Sequence, residues 1–427
     1  MKFIFLKNFS NTSYLKSIGT LFTGSLIAQL ITIILSPVIT RIYTPEDLGY
    51  YSLLLSVIAM FGTAITGRYD MPIVKVNNES EVYSLIVASS IINVIFSSVV
   101  SVCSLAYFII YENMYSNIGI TILLIFPMFI MTGVINTVSS YNNRYKEYKL
   151  LSSVSINRAI TQNSGQVLFG IFGLGIKGLL ISNFLSLLVG LNAQFKRLKR
   201  NLTLLKEVNF KEVKEVLIRY NNQLFFSTPS ILLNTVSYSL INFLISYLYG
   251  AKVLGYYSLS YRMLGLPLSL ISMNVARVFF EQASSELRLT GMCINSFKKT
   301  FKFLFYIAIP MGIILIILAP TAFSFVFGSS WKTAGIYVQV LTPMFVARFI
   351  ILSLTSVLVI TDNQKYELKM QALFIVSTSI AFLLSKFLNL GIFYFLSLIS
   401  LMYLISYIIF GLKLFNFSSR VINLKNQ

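Results

Sequence analysis

Stretches of about 20 apolar residues recur along nearly the whole of this chain, each long enough to cross a ~30 Å hydrocarbon layer as a helix. Inside a membrane every backbone polar group must be satisfied by the chain itself, so such a series commits the fold to packed helices. Twelve spans are predicted, near residues 17–40, 48–67, 82–111, 118–140, 151–173, 175–195, 223–248, 254–280, 302–327, 334–361, 368–386 and 390–412. The 427 residues are 56% hydrophobic and 11% charged, which excludes a soluble globular protein.

The net charge of +20 would suit a nucleic-acid partner, but its distribution argues against one. Most of the 34 Lys and Arg fall in alternate loops, while the opposite loops carry Arg41, Lys177, Lys252, Lys332 and Lys386. This positive-inside asymmetry predicts a multi-pass protein of the bacterial cytoplasmic (inner) membrane with both termini in the cytoplasm. Residues 1–16 hold Lys2, Lys7 and Lys16 but no long apolar core with a cleavage site, so no removable signal peptide is expected. Histidine is absent, which removes the usual general base and the commonest metal ligand. Cys103 and Cys293 show no metal or redox spacing. No catalytic residue, metal or cofactor is assigned, and the chain is not read as an enzyme.

An internal repeat divides the series. Leu-Gly-Tyr-Tyr-Ser-Leu occurs at Leu48–Leu53 and again at Leu254–Leu259, each time between two apolar stretches. The stretch after each copy ends in an Arg with an acid behind it: Arg68 with Asp70, and Arg277 with Glu281. A repeat on this scale predicts two pseudo-symmetric six-helix lobes with a substrate path between them. The expected division is 1–195 for the first lobe, 196–222 for a linker, and 223–427 for the second lobe and a short cytoplasmic tail. The linker is basic, from Lys196 through Lys206 to Arg219. Leu205–Tyr220 interleaves Glu and Lys with Val, Phe, Leu and Ile at helical spacing, as in an amphipathic helix on an anionic leaflet.

Polar residues inside the spans carry the functional signal. Arg158, Arg262 and Arg348 fall well within predicted spans, whereas the acids lie in loops or at span ends. An Arg at the bilayer centre costs at least ~2.5 kcal/mol on insertion scales, so it faces a cavity or a partner. Interior cations without interior acids favour an anionic substrate, and some of them pair with helix C-termini in the alternative reading. Arg158, Gln162 and Gln166 share one helix face, as do Ser230, Asn234, Tyr238 and Asn242 behind Pro229. Such stripes line a hydrated lumen or hold helices together by hydrogen bonds. Tyr43, Tyr50, Tyr51, Tyr249, Tyr256 and Tyr257 cluster near span ends and are read as an interfacial aromatic belt, with sugar stacking near the outer mouth as the alternative.

Several of these segments resemble one known family. They are Leu48–Leu53, Gly67–Val74 and Arg144–Lys149 followed by Arg158 and Gln166, then Tyr220, Phe226–Pro229 and Asn234. Gly250, Leu254–Arg262, Pro267, Ser272, Arg277–Phe279 and Ser285–Glu286 continue the series. As an ordered set they resemble the Wzx-type flippases of O-antigen and capsule repeat units, in the superfamily that also holds the MATE drug exporters. The resemblance implies an all-α membrane protein of about twelve transmembrane helices with a MATE-like fold. It implies translocation of undecaprenyl-diphosphate-linked oligosaccharides from the cytoplasmic to the outer leaflet, by alternating access through a cationic lumen. Membrane lipids, a polysaccharide polymerase and a chain-length regulator are the implied partners.

On this reading Arg158, Arg262 and Arg348 meet the anionic head group, and Gln162, Gln166, Asn234 and Tyr238 contact sugar hydroxyls. Arg68 with Asp70, and Arg277 with Glu281, form cytoplasmic gate or coupling pairs. Two alternatives stand beside it. A MATE-type cation antiporter calls for lumenal carboxylates. A membrane polymerase or ligase calls for a sizeable outer loop with catalytic groups, whereas the outer acids here are Glu46, Asp47 and Glu112.

Overall fold

The computed structural model of the protein describes residues 13–110, 118–200 and 208–421. Lys2, Lys7, Glu112, Leu205 and Lys206 lie outside these residues. The described residues are helical with short turns and contain no strand. Their contacts divide the chain into two compact units, Met1–Thr235 and Val236–Gln427. The division falls inside a helix rather than in the segment 196–222.

The first unit holds α1 (Ser13–Ile42), α2 (Pro45–Gly62), α3 (Glu79–Ile110), α4 (Ile125–Arg144), α5 (Tyr148–Ile171), α6 (Gly175–Leu188), α7 (Leu191–Arg200) and α8 (Phe210–Arg219). Helix α1 packs on α5, α5 on α6, and α3 on α4. Local chemistry sets the boundaries. Thr44 and Asp47 form a reciprocal capping box at the start of α2, with Pro45 in its first turn. Helices α3 and α4 meet where Asn93 donates to the Ile130 carbonyl at 3.0 Å. Gly133 is required there, because an added Cβ would stand 2.1 Å from the Asn93 amide.

Helix α9 (Thr228–Tyr249) spans the division. The second unit continues with α10 (Ala251–Thr290), α11 (Ile294–Phe327), α12 (Lys332–Leu354), α13 (Lys365–Phe387) and α14 (Ile392–Ser419). Helix α12 is its central element, packed by α10, α11 and α14.

Ten helical segments among the described residues are long and apolar enough to span a membrane. They match ten of the twelve predicted spans. The remaining two are α2, which opens on Glu46 and Asp47, and α5, whose Ser, Arg and Gln stripe dilutes its apolar content.

Part of the apolar stripe of α8 packs on the protein itself. Val213 and Val216 are buried on the protein, Val216 with Tyr83, Leu85 and Ile86 of α3, because α3 offers an equally apolar face. Glu212 accepts hydrogen bonds from Ser80 and Ser84, and Arg219 pairs with Glu81 at 2.7 Å. One sequence expectation needs correction: four of the six tyrosines expected in a belt lie inside the protein, while Tyr249 and Tyr256 are half-buried. Tyr43, Tyr50, Tyr51 and Tyr257 are buried among neighbouring helices.

Candidate functional site

The α5 stripe is occupied within the first unit. Tyr51 of α2 is 1% exposed, and its phenol oxygen accepts three amide N–H groups. These come from Gln162 at 3.0 Å, Gln166 at 3.1 Å and Asn183 of α6 at 3.1 Å. Tyr43 in turn donates to the Gln166 carbonyl at 2.7 Å. The three N–H groups share the two lone pairs of one phenol oxygen on a fixed ring, so the knot ties α2, α5 and α6 together. Gln162 and Gln166 therefore act here as interhelical ties.

Arg158 sits on the same stripe and turns to the end of α6. That helix stops at Val189, where Gly190 takes φ 78°. Arg158 Nε donates to the Val189 carbonyl at 3.1 Å and Nη2 to Gln194 Oε1 at 3.3 Å. A cation at a helix C-terminus meets the partial negative charge of the unpaired carbonyls. The geometry is that of a helix cap.

The turn after α2 shows an unusual backbone. Gly67 and Arg68 both take positive φ, 59° and 63°. For Arg68 the left-handed region costs ~1–2 kcal/mol. Asp70 is buried and accepts from Thr66 Oγ1 at 2.6 Å and Ser140 Oγ at 3.4 Å. Arg68 Nε is buried with no hydrogen-bond partner among the described residues. The expected pair does not form here, because hydroxyls from α4 and the turn take the carboxylate instead. Arg277 and Glu281 are both exposed on α10.

The second unit holds a different arrangement. Arg348 of α12 donates through Nη1 to the Tyr261 hydroxyl of α10. Its guanidinium carbon lies 5.4 Å from the Tyr238 ring centre, 5.5 Å from that of Tyr261 and 5.6 Å from that of Phe345. Tyr403 and Tyr407 of α14 add their phenols to the surroundings. No carboxylate pairs with Arg348 among the described residues, and Tyr261 takes its hydrogen bond there. A guanidinium has five N–H donors in a planar fork, so most of them remain available. Arg262, next in sequence to Tyr261, is half-buried and likewise makes no hydrogen bond or ion pair among the described residues. Tyr238 presents 39% of its surface, and Asn234, one turn earlier on α9, is half-buried and belongs to the first unit.

The structure thus joins Arg348 to Tyr238 and places Arg158, Gln162 and Gln166 in a separate packing network. Sequence reading missed Tyr261, Phe345, Tyr51 and Asn183 as members of these groups. The repeat was the available signal for Tyr51, since it marks a position fixed by packing. Among the described residues no three His, Cys, Asp or Glu gather as a metal site.

The family described as polysaccharide biosynthesis protein matches residues 38–335. No curated protein matches the chain. Solved structures do. A multidrug resistance MATE family transporter of the MOP superfamily, in an inward-facing conformation, is similar at 12% identity and TM-score 0.64, over 90% of this chain and 93% of its own. A MOP superfamily transporter from Pyrococcus furiosus, described as having a binding pocket of reverse polarity that suggests a different function, aligns at 13% identity and TM-score 0.60, over 93% and 94%. A mutant MATE transporter from Vibrio cholerae aligns at 14% identity and TM-score 0.58, over 96% of both chains. At these identities the likeness establishes the fold, which is MATE-like.

Proposed function

The chain belongs to the family of polysaccharide biosynthesis proteins, and from that premise we propose that it is a flippase for lipid-linked oligosaccharides. On this reading it moves undecaprenyl-diphosphate-linked repeat units from the cytoplasmic to the outer leaflet of the bacterial inner membrane, for O-antigen or capsule. Movement is by alternating access of two six-span lobes through a cationic lumen. Membrane lipids surround the chain, and a polysaccharide polymerase and chain-length regulator act beside it.

The observation that carries this reading is Arg348, a cation inside a candidate membrane span, ringed by phenols and without a counter-ion among the described residues. Leaving a charge unpaired in a low dielectric is unfavourable, so its retention points to a ligand that supplies the anion. A diphosphate or an acidic sugar does so, and aromatic faces suit the apolar faces of sugar rings. Arg262 is assigned to the same head group. Asn234 and Tyr238 are assigned to hydroxyls of the glycan, and Arg158, Gln162 and Gln166 join them only if α5 and α6 part during the cycle. Asp70 and Arg68, and Glu281 and Arg277, are assigned to the cytoplasmic gate.

The test is inactivation of the chain in its own cell. Lipid-linked oligosaccharide is expected to accumulate on the cytoplasmic leaflet while surface polysaccharide is lost. One observation favours a second reading, export of organic cations: Asp70 is a buried carboxylate without a cationic partner among the described residues. Normal surface polysaccharide with loss of cation efflux would select that reading.

A further inference from the structure

A second feature of Val236–Gln427 is not explained by the Arg348 site. Helices α11, α12 and α14 leave a groove of about 470 Å³ between them, lined by Phe301, Phe305, Ile309, Val346, Ile350 and Leu412 among others. Small residues open its floor, with Ala347 on α12 and Gly411 on α14. One wall is an aromatic ladder. Phe297, Phe301 and Phe305 stack every fourth residue of α11, with ring centres 6.4 Å and 6.1 Å apart.

Lys298 and Lys302 line one end of the groove, and no acid lines it. Neither lysine makes an ion pair among the described residues, and Lys298 Nζ stands 5.9 Å from the Phe415 ring centre. The neighbouring acid, Glu286, is engaged elsewhere. It accepts the backbone N–H groups of Asn295 and Ser296 and caps α11. From Lys298 to Ile309 the helix rises ~16 Å at 1.5 Å per residue. That is about half of a ~30 Å hydrocarbon layer, the depth of one leaflet.

We propose that this groove binds the polyisoprenyl chain of a phosphate-bearing lipid, with Lys298 and Lys302 at its mouth holding the phosphate. Two adjacent free cations at the polar end select an anionic head, and the apolar length below selects a long hydrocarbon. The aromatic rungs and the small-residue floor suit a branched, unsaturated chain that lies flat against rings. The assignment rests on the lipid-linked substrate proposed above. It gives that lipid a seat while its sugars travel elsewhere.

The test uses the purified full chain in detergent, titrated with undecaprenyl phosphate or with phosphatidylglycerol and read by native mass spectrometry. Undecaprenyl phosphate carries no sugar, so it probes the groove and not the sugar path. The wild-type chain is expected to retain it at lower concentration than phosphatidylglycerol. Changing both Lys298→Glu and Lys302→Glu should weaken retention about tenfold or more. Phe301→Ala with Phe305→Ala should weaken it too, and both rings are exposed, so the core stays intact. Equal retention of the two lipids, or retention unchanged in both variants, would overturn the proposal. Translocation of a lipid-linked oligosaccharide is measured on the same preparation. Translocation without selective retention removes the groove and keeps the flippase, and selective retention without translocation does the reverse.

Discussion

Arg348 and Tyr261 meet twice: the guanidinium donates to the phenol oxygen, and its carbon stands 5.5 Å from the same ring's centre. One tyrosine thus orients the cation and covers part of it, while no acid neutralises it among the described residues. On the proposed reading, this arrangement leaves the cation available to an anionic cargo.

The first prediction separates use from stability. Arg348→Ala should leave thermal stability unchanged or raised, because it removes a half-buried charge that has no counter-ion among the described residues. Arg158→Ala should lower stability by about 1–3 kcal/mol, because it strips the cap from α6 and leaves the Val189 carbonyl unpaired. Thermal unfolding of the two purified variants checks this. Equal destabilisation by both would show Arg348 to be a packing residue like Arg158.

The second prediction exploits the repeat. Tyr51 and Tyr257 occupy equivalent places in the two copies of Leu-Gly-Tyr-Tyr-Ser-Leu, and both are 1% exposed. Tyr51→Phe leaves Gln162, Gln166 and Asn183 without their shared acceptor, at about 1–3 kcal/mol for the buried Gln166 amide and less for the part-buried Gln162 and Asn183. The Tyr257 hydroxyl is buried with no hydrogen-bond partner among the described residues, so Tyr257→Phe should be neutral or stabilising. Unfolding midpoints in detergent measure both, and similar losses would contradict the assignment.

Much of this architecture was legible from residue spacing. Apolar windows located the helices, and the repeat announced two related halves. The uses of individual polar residues were not legible. Gln162 and Gln166 have the same spacing whether they line a lumen or tie to Tyr51, and Tyr51 lies over a hundred residues earlier. Arg158 likewise looked like Arg348 from depth alone, and only the broken end of α6 distinguishes them. Tyr238 could be placed on a polar stripe, but its partner at 5.4 Å comes from α12. The belt expectation for Tyr51 and Tyr257 failed because position near a span end says nothing about which neighbours surround it.

A third prediction concerns α8. Its hold on α3 is apolar first and ionic second, since the Arg219–Glu81 pair is partly exposed. Arg219→Ala should change stability by less than about 1 kcal/mol. Val216→Asp should release the helix, because it buries a carboxylate among Tyr83, Leu85 and Ile86. Amide hydrogen exchange along 210–219 reads the difference: protection retained in the first variant and lost in the second. Loss in both would make the ion pair the principal clamp.

The central claim is that Arg348 supplies the charge for an anionic, lipid-linked cargo. The most direct measurement places a lipid-diphosphate-linked oligosaccharide in one leaflet of liposomes containing the purified chain, and reads its arrival in the other with an impermeant probe. The wild-type chain should translocate it. Arg348→Ala should slow transport at least about tenfold, or ~1.4 kcal/mol, and Arg348→Lys should restore part of the loss, since it returns the charge without the planar fork. Transport by Arg348→Ala at the wild-type rate would contradict the account, and so would a wild-type chain that moves organic cations and no lipid-linked sugar.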